Sequence, residues 1–289
     1  AIQTTGIYPA YEMLEGTDGT LLWGADGNMF GPYMGPLMPW LDKMAIVRGM
    51  SMETLTHDAG RRRFLTGRPP SGLMARGSSA ATWLAGAVGA NEPIPNLSLA
   101  VETYNVDQPN YASGLKVNSV GDLVLALEAG QPQLGTNQQA QINALLNQFA
   151  ACNGNQKSSF YEIANQSRKK GDEMVEANFA SLFNLMDSTD PAMEQLRDDF
   201  GIVGSGNNAL GTAEAQGAAA VIALTSGMSR VASVRVANAL DTHYEDNWTE
   251  DQGPNQESGF KIVAAILNAL EKTEYKGTGD NWLSKTTVI

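Results

Sequence analysis

Cysteine and histidine are almost missing from this chain. With Cys152 as its single cysteine, it can form no internal disulfide and no CxxC zinc site. Basic residues are also scarce: 19 Lys+Arg stand against 31 Asp+Glu, for a net charge of −12 and a pI near 4.6. The densest basic runs, Arg61-Arg62-Arg63 and Arg168-Lys169-Lys170, are three residues long, too short to neutralise a phosphate backbone. Nucleic acid is therefore excluded as a partner. No apolar run approaches the roughly 18 residues of a membrane span; Ala218 to Leu224 and Ile262 to Leu267 are core-sized. No leader pattern is legible in residues 1–10, and a mature exported protein reads the same.

What remains is an ordinary globular composition, 43% hydrophobic and 17% charged over 289 residues, ample for a buried core. The first 40 residues are punctuated by Gly and Pro, so regular structure there is short. Pro36 to Lys43 can make a short helix leading into Met44–Met50, an apolar, Gly-bounded run expected to be a buried strand. Ser78 and Ser79 are good caps for a helix over Ala80–Val88, and Asn96–Val101 reads as a second strand. Strand, helix, strand favours a parallel sheet.

From Val120 to about residue 205 the pattern is helical and reads as an insertion on the sheet. Leu123, Leu125 and Leu127 share a short helix, and Ile142, Leu145, Leu146 and Phe149 sit at helical spacing in the next. Phe160–Met186 reads as one long amphipathic helix, and Asp190-Pro191 opens another. The last third returns to α/β order: an Ala-rich helix over Thr212–Met228, a strand over Arg230–Ala237, and a helix over Ser258–Leu270. Lys285–Ile289 is β-branched and reads as the start of a further strand, which implies a chain that stops inside a longer fold. The expected architecture is one α/β domain over residues 1–289, incomplete at both ends. Its mostly parallel sheet is flanked by helices, with a helical insertion over 120–205.

Both histidines stand beside an Asp after an expected strand: His57 in Thr56-His57-Asp58, His243 in Asp241-Thr242-His243. Ligands of open parallel sheets bind at the carboxyl ends of the strands, so both fall on the functional edge. Imidazole with carboxylate is a ligand set for a divalent metal, zinc or calcium. The Asp-x-His spacing also lets both side chains of an extended segment face one way. The plainer reading of either histidine is a hydrogen-bonding loop residue. Arg76-Gly77-Ser78-Ser79 ahead of a helix could hold an anion on the helix N-terminus, though a simply capped helix explains it too. Arg61 heads a run that reads as ion-paired or as an anion contact. The acidic stretch Glu245-Asp246, Glu250-Asp251 could bind calcium or be a solvated loop, and Asn247-Trp248-Thr249 fits a glycosylation sequon.

Several segments in order carry a resemblance: Ala45-Ile46-Val47-Arg48-Gly49-Met50, Thr56-His57-Asp58-Ala59, Phe64-Leu65-Thr66-Gly67, Arg76-Gly77-Ser78-Ser79, Ser233-Val234-Arg235-Val236 and Leu240-Asp241-Thr242-His243. Together they resemble the DUF1501 family, bacterial proteins with an alkaline phosphatase-like or sulfatase-like α/β fold, often exported by the twin-arginine route. The resemblance runs from about Tyr8 to Ile289 and is weakest in the helical middle. It implies a metal centre to which Asp241 and His243 contribute, with His57 near the same edge. That family opens with a Gly-Gly-x-Asp-like motif and ends with a Glu-Phe-Gly-Arg-like motif and an Asp-His pair. Neither end is found here, so the chain as given does not complete a two-metal site. The resemblance further implies export to the periplasm or beyond.

Two readings stand side by side. In the first, the protein is a metal-dependent hydrolase of phosphate or sulfate esters acting on a small anionic substrate. Asp241 and His243 are then ligands, His57 is a ligand or general acid, and Arg76 or Arg61 clamps the anion. In the second, it is an exported, non-catalytic binding or surface-assembly protein that keeps the fold and engages a surface partner.

Overall fold

The structure, a computed structural model, describes residues 22–24, 29–47, 50–54, 56–72, 74–128, 135–152, 159–241 and 251–289. The strands are β1 (Leu22–Trp23), β2 (Met29–Phe30), β3 (Asn96–Leu99), β4 (Leu115–Val117) and β5 (Val231–Val234). The helices are α1 (His57–Thr66), α2 (Ala80–Val88), α3 (Val120–Leu127), α4 (Thr136–Ala151), α5 (Ser159–Glu176), α6 (Pro191–Phe200), α7 (Gly206–Leu210), α8 (Ala213–Thr225) and α9 (Gly253–Lys272). Strands β3, β4 and β5 form a parallel sheet in the order β4-β3-β5, while β1 and β2 pair as a separate antiparallel ribbon. The class is α/β with a small, open, all-parallel sheet.

Alternation along β3 sorts the two faces of the sheet. Leu97 and Leu99 point to the apolar side, Asn96 and Ser98 to the other, and all four are buried. The apolar side is covered by α8, whose residues Ala215 to Ala223 are buried without a break. Small alanine side chains suit a helix packed all round, because neighbours can approach closely. Gly217 takes this furthest: a Cβ there would lie 2.8 Å from Ile262 Cγ2 and 3.1 Å from Phe200 Cε1, so α8 meets α9 and α6 where only hydrogen fits. Beyond α9 lies a 3-10 helix over Pro32–Lys43 carrying Met34 and Leu37 onto Phe260 and Val263. Pro32 costs no donor at the first position, while Pro36 and Pro39 remove interior N–H groups and so interrupt any continuous α-helical ladder.

Local signals account for most helix ends. Ser119 Oγ accepts from Asp122 N, Asp190 Oδ1 accepts from Ala192 N at 2.8 Å with Pro191 following, and Thr212 Oγ1 accepts from Ala215 N. Gly201, at φ 66°, ends α6 in the left-handed region.

Four expectations are corrected. The strand expected over Met44–Met50 is extended at Met44 but pairs with no strand among the described residues. Met44 and Ile46 turn onto the α9 side while Ala45 and Val47 stay exposed, so a helix surface, not a sheet, satisfies the alternation. Lys285–Ile289 is no strand: a 3-10 turn over Leu283–Lys285 leads into unpaired chain. The long helix over Phe160–Met186 breaks after Glu176, where Asn178 adopts φ 53°; the turn swings Phe179 and Phe183 into the core. His57 begins helix α1 instead of following a strand. Helix α2 matches its expected bounds, but Ser79 makes no cap bond to the backbone and spends its hydroxyl on Thr82 Oγ1 at 2.8 Å.

The helical middle divides in two. Leu123, Leu127, Phe183, Leu185 and Phe200 belong to the same core as β3 and α8. Ile142, Leu145, Leu146 and Phe149 of α4, spaced as an apolar stripe, are exposed instead.

Candidate functional site

The carboxyl ends of β3 and β5 each lead into a loop with a left-handed non-glycine residue, Ala100 at φ 56° and Ala239 at φ 51°. Such a conformation costs a side-chain-bearing residue of order 1–3 kcal/mol and is held by its surroundings. The chain leaving β5 is pinned by α9: at Gly259 a Cβ would sit 2.9 Å from Ala237 Cβ and 3.2 Å from Val236 O. This contact fixes the path that delivers Asp241. Helix α1 brings His57 and Arg61 to the same edge.

There His57 Nε2 lies 3.2 Å from Asp241 Oδ2, joining residues from opposite parts of the chain. Both side chains are more than half exposed. An exposed pair adds little to stability, so the scaffold determines the contact and not the reverse. One helical turn along α1, Arg61 Nη2 reaches Asp58 Oδ1 at 2.5 Å and Glu102 Oε1 at 3.4 Å. Glu102 also accepts a short hydrogen bond from the Tyr104 hydroxyl. That bond chiefly, aided by Arg61 and Arg62, holds the Glu102 carboxyl below its usual range. Burial, reinforced by Glu102, pushes the Tyr104 phenol up.

Arg62 lies against Tyr104 and Glu102, and its Nε and Nη1 are buried with no hydrogen-bond partner among the described residues. Arg63 turns away to Glu53 Oε2 at 2.6 Å. The three consecutive arginines thus have three different surroundings, which follows from the 100° rotation per residue of a helix.

Of the residues that the sequence singles out, His57, Asp241 and Arg61 come to one edge. His243 lies outside the described residues, as do Glu245, Asp246, Glu250 and the Asn247 sequon. Arg76 is exposed and makes no ion pair with this group among the described residues. The helix end behind it already holds a carboxylate of the chain: Ser78 Oγ donates to Asp107 Oδ1 at 2.6 Å and accepts from Val106 N and Asp107 N. The Ser78 bond is the main cause holding the Asp107 carboxyl low.

Glu102 and Tyr104 lie outside the candidates that the sequence singles out, and Arg62 enters there only as a member of the basic run. Glu102 directly follows an expected strand, so the strand-end argument that picked out the histidines could have found it. Nothing in the sequence marks Arg62 apart from its two neighbours.

The His57–Asp241 contact has the length of a direct ion pair, and also that of two ligand atoms sharing one cation. Metal–ligand bonds of about 2.0–2.1 Å in tetrahedral geometry separate neighbouring ligand atoms by about 3.3 Å, close to the spacing seen. Among the described residues no three His, Cys, Asp or Glu side chains converge as a metal group. No family model matches the chain, and no curated protein or solved structure is significantly similar to it.

Proposed function

We propose that this edge is a divalent-cation and anion site, and that the protein is a hydrolase of phosphate or sulfate esters of alkaline phosphatase-like or sulfatase-like type. The observation that carries the reading is the 3.2 Å approach of His57 to Asp241 at the carboxyl edge of a parallel sheet. The resemblance of Leu240-Asp241-Thr242-His243 to a family metal motif supports it from the sequence side. Asp241 and His243 hold the ion, with His57 as a further donor or as the group that protonates the leaving oxygen. A bound divalent ion supplies Lewis acidity toward the ester oxygen.

The chain's own residues do the rest. Arg61 is engaged by two carboxylates, so it orients Asp58 and Glu102 around the site. Arg62 has two buried N–H groups without an acceptor among the described residues, which makes it the better partner for an ester anion. A non-catalytic, exported binding protein is the second reading. It is favoured by the finding that the described residues bring only two donors together.

Elemental analysis of the purified protein tests the first reading, together with assays on p-nitrophenyl phosphate and p-nitrophenyl sulfate. At least one zinc or calcium per chain is expected, and Asp241→Ala should lower that content while leaving the circular dichroism unchanged. Metal content that is nil, or equal in the variant, would remove Asp241 as a ligand. Bound metal without turnover of either ester would favour the binding reading.

A further inference from the structure

The chain leaving β3 is held from behind. Thr103 Oγ1 lies 3.3 Å from Thr82 Oγ1 and 3.5 Å from Ser79 Oγ, at the start of α2. A Cβ on Gly114 would sit 2.7 Å from Thr103 Cγ2, so the approach to β4 closes on the same side chain where only hydrogen fits. Ser79 also clamps the next peptide: its N–H donates to Tyr104 O at 2.9 Å, and its hydroxyl accepts from Tyr104 N at 3.4 Å. Glu102 and Tyr104, on either side of Thr103, turn the other way and meet, the phenol donating to Oε2. The second carboxylate oxygen, Oε1, faces Arg61 Nη2 at 3.4 Å. Arg62 reaches the phenol itself, with Nε and Nη1 buried and lacking an acceptor among the described residues.

We propose that Tyr104 is the nucleophile of this edge and Glu102 its general base; the assignment rests on the reading of the site as an ester hydrolase. A hydroxyl bonded to a base whose far side is fixed by a third group is the arrangement that activates a weak nucleophile. Tyr104, Glu102 and Arg61 stand in that order. The same hydrogen bond, with the arginines, holds the Glu102 carboxyl low, so at neutral pH it is ionised and ready to take a proton. The Glu102 side chain is 28% exposed and Tyr104 is half-buried, so neither is sealed from solvent. Arg62, beside the phenol, is placed to hold the charged oxygens of the ester during attack. For a phosphate monoester the bond from Tyr104 Oη to phosphorus forms as the bond to the leaving oxygen breaks. The phenol proton passes to Glu102, and the departing oxygen takes a proton from His57. Water then attacks phosphorus and gives one proton to His57. The bond to Oη breaks, and Glu102 returns its proton to the phenolate.

Rapid acid quenching of the full chain with p-nitrophenyl phosphate tests the proposal. p-Nitrophenolate leaves without protonation, so the first step outruns the second and the phosphoryl-enzyme collects; a tyrosyl phosphate survives the acid. Peptide mass spectrometry should find one phosphoryl group on Tyr104 and on no other tyrosine, a result that needs no variant to fold. Tyr104→Phe and Glu102→Gln should each lower kcat by about 100-fold or more at neutral pH, with circular dichroism retained. Inhibition by inorganic phosphate, which reads Arg62, should stay as in the wild type, a split that a merely structural loss would not give. Turnover with no label on Tyr104, or Tyr104→Phe working within about tenfold of the wild type, would overturn the assignment and leave the hydrolase reading standing. A wild type that turns over no ester would remove both.

Discussion

Leu123 and Leu125 lie two residues apart in α3, have the same side chain, and should respond very differently to truncation. Leu123 is fully buried among the core side chains, whereas Leu125 is 70% exposed. For Leu123→Ala, the lost transfer free energy of a buried leucine is joined by a cavity term, because α8 and the strands cannot close around the gap. Together these cost about 3 kcal/mol, within the 2–5 kcal/mol range of such replacements. For Leu125→Ala only the covered third of the side chain counts, about 0.6 kcal/mol, and alanine's better helix propensity returns about 0.2. The difference, roughly 2.5 kcal/mol, corresponds to about 4 °C in Tm for a chain of 289 residues. Thermal unfolding followed by circular dichroism at 222 nm measures both variants side by side. Equal shifts, or a larger loss for Leu125→Ala, would refute the placement of α3 and with it the register that carries Ser119 and β4.

Gly217→Val should destabilise the fold by about 1–3 kcal/mol, since its side chain must displace Ile262 or Phe200 at the crossing of α8, α9 and α6; urea denaturation reads this. The Glu102 carboxyl, lowered by Tyr104 and the arginines, binds its proton less tightly folded than unfolded. It therefore contributes stability above the unfolded value near 4.5 that is lost as pH falls through the folded value, and Glu102→Gln should flatten the Tm profile below about pH 4.5. Tyr104 has the opposite sign: its raised phenol contributes stability that is present below pH 10 and lost above it, so Tyr104→Phe should flatten the alkaline limb.

Much of the fold was legible because short-range physics fixes it. Ser79 before Ala80, Asp190-Pro191 and Thr212 mark helix starts through groups within three residues, and those starts hold. The misread segments share a different cause. Met44–Val47 and Lys285–Ile289 have strand-like residues, but a strand exists only where a partner strand runs beside it, and that is a tertiary fact. Asn178 broke the expected long helix by entering the left-handed region, which Asn tolerates without announcing. At the candidate site, His57 and Asp241 meet at one edge although Met44–Met50 pairs with no strand among the described residues, and Arg61, read from the sequence as the head of a basic run, lies one turn along α1. The separate surroundings of Arg61, Arg62 and Arg63 depend on what faces each side of α1, and the run of three letters carries no trace of it.

The parallel pairing of β3 with β5 joins Asn96 to Val231 and Leu99 to Val234, residues 135 positions apart. On a ribosome adding about 5–20 residues per second, β3 emerges roughly 7–27 s before the strand that completes its edge. For most of that interval Leu97 and Leu99 also lack α8, their later apolar cover, which is made just ahead of β5. Synthesis of this protein therefore has a built-in waiting period in which its central strand is complete and unprotected, and chaperone demand should peak there.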